Sequence, residues 1–312
     1  MVKALIILSY GEEAAWCASK LEAQFPEHEW RLWDAANPGD SEAECLVGIA
    51  PLMTAEMIAK IPGLKWIHAL TTGVDNLIEM TELPQGVVVT NTSGIHGPQM
   101  SELAIMMMLA LPRQLPRLLA NQAEARWDRF PQPLLLGKSV CIVGVGAVAM
   151  ALAPRCAAFG MTVIGVSDRH STVEGFERIY PPDQLIKAVS NADFVVVLTP
   201  YTTSTHHIIS DAVLSAMPPG AYLVNIARGG CVDEAALMSH MHSGSIAGAA
   251  LDVFSTEPLP QEHPFWAEPK VIVTPHIGGM SNIYAEQALP IFERHLDALR
   301  RNDLSFLPDM RR

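Results

Sequence analysis

The stretch 138–149, KSVCIVGVGAVA, joins a short apolar run to two closely spaced glycines and an alanine-rich continuation. The run 140–143 predicts a buried strand, and the continuation up to residue 159 predicts a helix. A second apolar run, 161–166, predicts the next strand. Strand, glycine turn, helix and strand in this order match the dinucleotide-binding pattern G-x-G-x-x-G/A, with Ala149 in the third small position.

Each small residue of this turn has a physical role in that pattern. Gly144 permits the tight turn, Gly146 lets the backbone approach a pyrophosphate, and Ala149 lets the helix pack close to the strand. The helix start offers free N–H groups and a positive dipole end to phosphates. An ordinary strand-to-helix turn is the competing interpretation, but the flanking strands and the polar cluster 167–169 favour nucleotide binding. Pro154 removes a helical hydrogen bond, so we expect a kink there.

Composition restricts the class of protein. The chain has 312 residues, of which 49% are hydrophobic, and this predicts two globular domains. A net charge of −12 argues against nucleic acid or an anionic membrane as partner. The longest apolar stretch, 103–111, is too short to cross a bilayer. The start, residues 1–9, predicts a first strand rather than a signal peptide.

The five cysteines are scattered and contain no C-x-x-C pair. This spacing predicts neither a disulfide framework nor a zinc site, so we expect no metal. Reduced thiols in turn predict a cytoplasmic protein.

The pattern of apolar runs predicts an α/β fold of two Rossmann-like doubly wound parallel-sheet domains with a cleft between them. For the first domain we expect strands at 4–8, 29–33, 46–49, 66–70 and 87–90, and helices at 12–25, 53–60 and 75–79. For the second we expect six strands, at 140–143, 163–166, 194–198, 222–226, 246–251 and 271–274. Helices are expected between them at 147–159, 183–189, 211–216 and 233–242.

Two further helices connect the domains in this prediction. The apolar segment 100–111 leads from the first domain into the second, and the last helix, 285–300, returns to the first. We therefore expect a flavodoxin-like substrate-binding domain at 1–98 and 284–312, and a dinucleotide-binding Rossmann domain at 99–283.

Three chemically suggestive side chains follow three successive strands of the second domain. Arg228 comes after the fourth strand, Glu257 after the fifth and His276 after the sixth. Singly, each has an ordinary interpretation, as a surface salt bridge, a solvated loop carboxylate and a turn histidine. Because ligands of open α/β sheets lie beyond the carboxyl ends of the strands, the three together favour a site.

These residue types suit hydride transfer to a carbon that bears oxygen. Arg228 would hold a substrate carboxylate by two parallel N–H bonds. His276 would protonate the carbonyl oxygen as a general acid, and Glu257 would orient the imidazole and favour its protonated form. A nicotinamide would supply the hydride. Asp252 is expected either to contact the cofactor or to cap its loop.

The sequence resembles the D-isomer-specific 2-hydroxyacid dehydrogenases along nearly its whole length. The motifs that carry the resemblance are TTGVD at 71–75, NIARGG at 225–230, LDVFSTEP at 251–258 and TPHIGG at 274–279. The segment GIHGPQMSE at 94–102 is similar to the glyoxylate and hydroxypyruvate reductase branch. The chain also ends without the regulatory domain of many phosphoglycerate dehydrogenases, so none is expected.

The resemblance implies the remaining site residues. Backbone N–H groups of Thr72, Gly73 and Val74 would hold the substrate carboxylate. Leu52 is expected at the substrate side-chain pocket with Met53 beside it, although core packing is the alternative for both. The expected cofactor-binding residues are Met100, Gly144, Gly146, Ala147, Val148, Ser167, Asp168, Arg169, Thr199, Pro200, Thr205, Ala227, Asp252, His276 and Gly278.

Departures from the family pattern concern the cofactor. Ala147 stands where a basic residue is common, and Ser167 stands where NAD-preferring members usually have aspartate. Asp168 follows one position later, and Arg169 and His170 add positive charge. Ser167 and Arg169 favour a 2′-phosphate whereas Asp168 opposes it, and together they predict a modest preference for NADPH, with NADH also used. The alternative is that Asp168 points to solvent and pairs with Arg169.

The predicted function is reduction of a small 2-oxoacid, similar to glyoxylate or hydroxypyruvate, to the D-2-hydroxyacid with NAD(P)H. The alternative is a non-catalytic NAD(H)-sensing binding protein, like the corepressors built on the same fold. A formate dehydrogenase is disfavoured because Glu257 occupies the position that pairs with the acid. The resemblance also implies a homodimer formed through the second domain and the helix at 100–111.

Overall fold

The computed structural model describes residues 5–8, 12–34, 42–300 and 310. The helices are α1 (Glu12–Gln24), α2 (Ala55–Ala59), α3 (Asp75–Ile78), α4 (Gly97–Ala110), α5 (Leu115–Ala123), α6 (Ala147–Ala158), α7 (Leu185–Val189), α8 (Asp211–Ala216), α9 (Glu234–Ser243) and α10 (Tyr284–Arg300). The strands are β1 (Leu5–Leu8), β2 (Trp30–Leu32), β3 (Cys45–Gly48), β4 (Trp66–Ala69), β5 (Val88–Asn91), β6 (Ser139–Val143), β7 (Thr162–Val166), β8 (Arg178–Tyr180), β9 (Phe194–Val197), β10 (Ala221–Asn225), β11 (Ile246–Leu251) and β12 (Val271–Val273).

The described chain divides into two compact units. Unit 1 combines the chain up to Ile95 with the chain from Ser281 onward, and unit 2 is His96–Met280. Unit 1 contains a five-stranded parallel sheet in the order β2-β1-β3-β4-β5. Unit 2 contains a seven-stranded parallel sheet in the order β12-β11-β10-β9-β6-β7-β8. The α/β class and the two Rossmann-like parallel sheets are as predicted.

One of the two buried apolar clusters of unit 1 includes side chains of α10. Phe292 of α10 stacks on Trp66 of β4, with ring centroids 5.4 Å apart and planes 12° apart. Both side chains are fully buried. His68, two residues along β4 and also fully buried, places its ring nitrogens 2.8 Å from Thr90 Oγ1 and 3.1 Å from Thr92 Oγ1. Burial and the neighbouring His295 hold the pKa of His68 well below its ordinary value.

The sheet of unit 2 has an apolar layer on each face. Cys141 and Val143 of β6 belong to one buried cluster, and Val140 and Ile142 belong to the other. Strand residues alternate between faces, so this division follows from the pleat. Burial on both faces also explains why the strands read as continuous apolar runs rather than alternating ones.

One predicted element count was wrong. Unit 2 has seven strands rather than six, because β8 pairs in parallel with β7 at the edge of the sheet. This strand has only three residues and begins with the exposed Arg178, so it lacks the apolar run that marks a central strand. The predicted first strand also included Ala4, which lies outside the described residues.

Helix boundaries moved for identifiable reasons. The predicted helix 100–111 begins earlier, at Gly97, because Pro98 suits the first helical turn. The chain then breaks before α5, where Gln114 has φ 51°. Within α6 the helix continues through Pro154, and the expected kink stays a prediction. Among the described residues no single helix is long and apolar enough to cross a membrane. Taken together, α4 and α5 reach the length and apolar composition of a membrane span, but the two helices are bent by 69° relative to each other.

Candidate active site

The predicted polar residues of unit 2 follow neighbouring parallel strands. Arg228 follows β10, Glu257 follows β11 and His276 follows β12, and these three strands are adjacent in the sheet. Parallel strands bring their carboxyl ends to one edge, which is where ligands of such sheets bind. The topology therefore places the loops that carry these side chains side by side.

Glu257 and His276 form a close side-chain pair at this edge. His276 Nδ1 lies 2.6 Å from Glu257 Oε2, and the other carboxylate oxygen accepts the Phe254 N–H at 2.9 Å. Burial raises the pKa of Glu257, but the hydrogen bonds from His276 and Phe254 and the charges of His276 and Arg228 outweigh it and leave the pKa below its usual value. The carboxylate is thus charged at neutral pH. With Nδ1 bonded to Glu257, Nε2 is the ring nitrogen left for proton transfer.

The backbone of His276 adopts an unusual conformation. Its φ is 52°, in the left-handed region that residues other than glycine seldom occupy. Two carbonyl oxygens accept its N–H, that of Asp252 at 2.8 Å and that of Thr274 at 3.1 Å. Such backbone strain persists where the surroundings impose it, commonly at functional sites.

Asp252 fixes the turn around His276. Its buried carboxylate accepts the N–H groups of Ile277 at 3.0 Å and Gly278 at 2.9 Å, and the hydroxyl of Thr274 at 2.5 Å. The loop-capping alternative for Asp252 therefore describes its contacts. A Cβ on Gly278 would lie 2.9 Å from this carboxylate and 2.9 Å from Met100 Sδ, so Met100 lies at the same turn.

Arg228 is held by its own loop. Its Nη1 donates to the carbonyl of Ala227 at 2.7 Å. The side chain of Asn225 braces the loop, since Nδ2 donates to the Arg228 carbonyl at 2.9 Å and Oδ1 accepts the Ala227 N–H at 3.1 Å. A Cβ on Gly229 would lie only 1.9 Å from the carbonyl carbon of Phe254, so glycine is needed for the loops after β10 and β11 to touch.

The glycine turn after β6 fits a dinucleotide. Gly144 has φ 100°, and a Cβ there would lie 2.7 Å from the Thr199 nitrogen, so this turn packs directly on the loop after β9. Gly146 caps α6, and no heavy atom lies within 4 Å of its Cβ position. Ala147 and Val148 form the exposed and half-buried start of α6. An open glycine in front of the first N–H groups of a long helix suits a pyrophosphate.

The loop after β7 has a defined turn. Ser167 is buried, and its Oγ accepts the N–H groups of Arg169 and His170, each at 3.1 Å. Asp168 and Arg169 are exposed. No ion pair joins them among the described residues, so the pairing offered as an alternative is not formed.

The loop after β9 uses its hydroxyls internally. Thr205 Oγ1 donates to the Pro200 carbonyl at 2.7 Å and accepts the Thr202 N–H at 2.7 Å. These contacts order the loop that packs on Gly144. Thr205 therefore stabilises the conformation of this loop, and its expected contact with the cofactor stays a prediction.

Comparison with known proteins places this arrangement in a family. The family model for the D-isomer specific 2-hydroxyacid dehydrogenase NAD binding domain matches residues 105–278. Glyoxylate/hydroxypyruvate reductase A from Salmonella choleraesuis is 32% identical over 300 residues, which cover 93% of each chain. The chain belongs to the D-isomer-specific 2-hydroxyacid dehydrogenase family.

Solved structures agree with this membership. A 2-hydroxyacid dehydrogenase family protein from Aeromonas salmonicida superposes with a TM-score of 0.88 at 31% identity, over 97% of both chains. An NADPH-dependent glyoxylate/hydroxypyruvate reductase from Sinorhizobium meliloti, crystallised with NADP and sulfate, has a TM-score of 0.83 at 27% identity and covers 99% of this chain and 97% of its own. A D-3-phosphoglycerate dehydrogenase from Mycobacterium bovis is 37% identical over 241 residues, 75% of this chain, and the chain spans only 44% of that relative.

The family model covers the glycine turn, Arg228, Glu257 and His276, but not the predicted substrate residues of unit 1. There, the loop after β4 is ordered by Thr72, whose Oγ1 donates to the Thr92 carbonyl at 2.8 Å. The Thr71 hydroxyl donates to the Gly73 carbonyl at 2.8 Å, and the Val74 side chain is buried. Leu52 is half-buried, whereas its neighbour Met53 is a core residue with 1% exposure. Core packing is therefore the correct interpretation for Met53.

No role is assigned from the sequence to two polar residues near this site. His96 precedes α4, and burial together with the charge of Arg228 lowers its pKa. A Cβ on Gly279 would lie 3.2 Å from the His96 ring, so Gly279 makes room for it. Glu234 accepts a hydrogen bond from the loop that carries Glu257. Among the described residues, no group of three or more His, Cys, Asp and Glu side chains suits a metal ion.

Proposed function

We propose that this dehydrogenase reduces a small 2-oxoacid to the D-2-hydroxyacid with NAD(P)H. The observation that carries the proposal is the 2.6 Å bond between His276 and Glu257, on a loop next to that of Arg228. An oriented imidazole supplies a proton, and a guanidinium supplies a carboxylate anchor. His276 and Arg228 follow strands of the same parallel sheet, and the glycine turn lies at the same carboxyl edge of that sheet.

The roles follow from the atoms that remain available. Nicotinamide, when bound, supplies the hydride. Arg228 binds the substrate carboxylate through its forked N–H groups. His276 delivers the proton from Nε2 to the carbonyl oxygen, while Glu257 holds Nδ1 and stabilises the charged ring. In unit 1, the backbone N–H groups of Thr72, Gly73 and Val74 are the proposed second set of carboxylate donors, and Leu52 is the proposed contact for the substrate side chain.

The proposed cofactor site uses the glycine turn and the loop after β7. Gly146 and the start of α6 receive the pyrophosphate, and the residues at 167–169 receive the adenine ribose. Ser167 can still donate its hydroxyl hydrogen, because both of its contacts to Arg169 and His170 are accepted by the oxygen. With Arg169 exposed beside it, we favour NADPH, which is also the cofactor named for the Sinorhizobium meliloti reductase.

The substrate class rests on the relatives. Glyoxylate and hydroxypyruvate are named for the reductases from Salmonella choleraesuis and Sinorhizobium meliloti, so we propose an acid of that size. The test is NAD(P)H oxidation with glyoxylate, hydroxypyruvate and longer 2-oxoacids. Turnover of the short acids supports the proposal. Cofactor binding measured by fluorescence, without turnover of any acid, would favour a dinucleotide-sensing binding protein instead.

We also propose that the protein is a cytoplasmic homodimer. The dimer proposal is supported by large apolar side chains that unit 2 exposes on α4, α5 and the segment after α5. Among them are Met106 with 48% exposure, Leu119 with 56%, Trp127 with 91% and Leu136 with 69%. Such surface commonly marks an interface. Five buried cysteines without disulfides fit a reducing compartment. Sedimentation velocity of the wild type and of Trp127→Glu tests the dimer, since a monomeric wild type contradicts it.

A further inference from the structure

The loop that carries Glu257 is anchored by a second carboxylate. Glu257 Oε1 accepts the N–H of Phe254 at 2.9 Å, and Glu234 Oε1 accepts the N–H of the next residue, Ser255, at 2.8 Å. Glu234 is the first residue of α9. Two glutamates therefore bind consecutive backbone donors of one loop, and only Glu257 also contacts His276.

Glu234 is itself fixed in place. Asp233 caps α9 by accepting the Ala236 N–H at 2.9 Å, which sets where the helix begins. Glu234 Oε2 lies 3.9 Å from His263 Nε2. His263 Nδ1 accepts the Phe265 N–H at 3.3 Å, so in the neutral ring the proton is on Nε2, which faces Glu234. The Glu234 carboxylate thus faces two residues of the connection between β11 and β12, accepting the Ser255 N–H and lying near the His263 ring.

The same loop also packs on Gly229. The 1.9 Å distance between a Cβ at Gly229 and the Phe254 carbonyl carbon means that the two backbones are already in contact. The peptide group that joins Phe254 and Ser255 therefore contacts both the turn that carries Arg228 and the carboxylate of Glu234. A short hydrogen bond such as that of Glu257 with His276 weakens steeply with displacement, so the position of the loop determines it.

We propose that Glu234 is a positioning residue for the His276–Glu257 pair, acting through the Ser255 N–H. It touches neither substrate nor cofactor; its carboxylate holds the loop so that Glu257 meets His276. The competing explanation is that Glu234 only stabilises the start of α9 as an acidic first-turn residue. The inference rests on the proposed function for its kinetic consequence.

The kinetic experiment compares Glu234→Ala with Glu234→Gln. The alanine variant loses the Ser255 anchor, and we expect kcat/KM for 2-oxoacid reduction to fall about 10- to 100-fold, because small misplacements of catalytic groups cost that much. The alkaline limb of its pH profile of kcat/KM should move to lower pH, as we also expect for Glu257→Gln. Glutamine keeps an acceptor oxygen for the Ser255 N–H, so Glu234→Gln should stay within a few-fold of wild type. His242→Ala, which breaks a 3.2 Å pair with Glu268 at the other end of α9, is the control.

Two further measurements separate positioning from general stability. In a Glu257→Gln background, Glu234→Ala should cause little additional loss, because the pair it positions is already broken. An equal loss in both backgrounds would overturn the proposal. In the free protein, amide hydrogen exchange of the segment 254–257 should accelerate in Glu234→Ala and not in Glu234→Gln or His242→Ala; unchanged exchange would also overturn it. If the wild type reduces no 2-oxoacid, the proposed function fails, and the exchange data alone decide whether Glu234 holds this loop.

Discussion

His276 Nδ1 lies 2.6 Å from Glu257 Oε2, while the backbone of the same histidine adopts a φ of 52°. The ring is therefore fixed in two ways, by a carboxylate at Nδ1 and by the constrained backbone turn that carries it. Asp252 imposes that turn by accepting two successive N–H groups of the residues after His276. A ring fixed in this way presents Nε2 in one direction, as proton transfer requires.

Glu257→Gln should move the alkaline limb of the pH profile of kcat/KM for reduction to lower pH. The pKa of Glu257 is below its ordinary value despite burial, so the wild-type carboxylate is charged at neutral pH. A neutral amide removes the charge that favours the protonated ring, and reduction needs that proton. Glu262→Gln, at an exposed position of the same loop, is the control and should leave the limb in place. An unmoved limb in Glu257→Gln would separate this residue from the histidine.

His276→Ala should lose reduction activity while cofactor binding persists. General acid catalysis is worth about 10²- to 10⁴-fold, so kcat should fall by that factor. The measurement pairs single-turnover kinetics with NAD(P)H fluorescence titration. A variant that keeps more than half of the wild-type kcat would exclude His276 as the acid.

Arg228→Lys should cost mainly substrate binding. Lysine keeps the charge but cannot form two parallel N–H bonds to a carboxylate, so kcat/KM should fall about tenfold or more, with much of the change in KM. Asn225 braces the backbone around Arg228 independently of its side chain, so the loop should keep its conformation. Wild-type kcat/KM on every acid turned over would show that Arg228 has another role.

Much of the fold was predictable because parallel strands covered on both faces are continuous apolar runs. β9, Phe194–Val197, is buried throughout and could be recognised directly. The edge strand β8 could not, since Arg178 and the half-buried Ile179 and Tyr180 show no such run. Its pairing with β7 depends on tertiary contact rather than on local pattern.

The site divides in the same way. Arg228, Glu257 and His276 were predictable because topology alone sends the ends of parallel strands to one edge, although their roles stay predictions. The position of Glu234 at the site was not predictable, since an acidic residue directly after the cap residue Asp233 is an ordinary feature of a helix start. The involvement of His96 was not predictable either, because only the folded chain brings it near Arg228. Two interpretations of Asp252 were open in the sequence; its three hydrogen bonds show that it caps the loop, and its contact with the cofactor stays a prediction.

Acid should destabilise unit 1 through His68. Its pKa is held well below the ordinary value by burial and by His295, so the folded protein keeps it neutral while the unfolded chain protonates it. The contribution of His68 to the free energy of unfolding should therefore be constant above about pH 6.5 and should fall below it by up to about 1.4 kcal/mol per pH unit. Urea unfolding followed by tryptophan fluorescence, to which four residues of unit 1 contribute, checks this. His68→Gln should be less stable at neutral pH yet show a flatter slope, whereas the exposed His242→Gln should keep the wild-type slope; equal slopes in all three would contradict the assignment.

Arg169→Ala should lower the ratio of kcat/KM for NADPH to that for NADH. Ser167 fixes the turn by accepting the Arg169 N–H, so the Arg169 side chain leaves a defined backbone and is exposed, with no ion pair to Asp168 among the described residues. A guanidinium in that position can bind a 2′-phosphate, and loss of one such charged hydrogen bond is worth about tenfold. Arg178→Ala, a nearby arginine whose guanidinium lies over Tyr180, is the control and should leave the ratio unchanged. An unaltered ratio in Arg169→Ala would remove Arg169 as the phosphate anchor. A wild type that strongly prefers NADH would reverse the assignment, because the exposed Asp168 would then be the ribose ligand and would repel the phosphate.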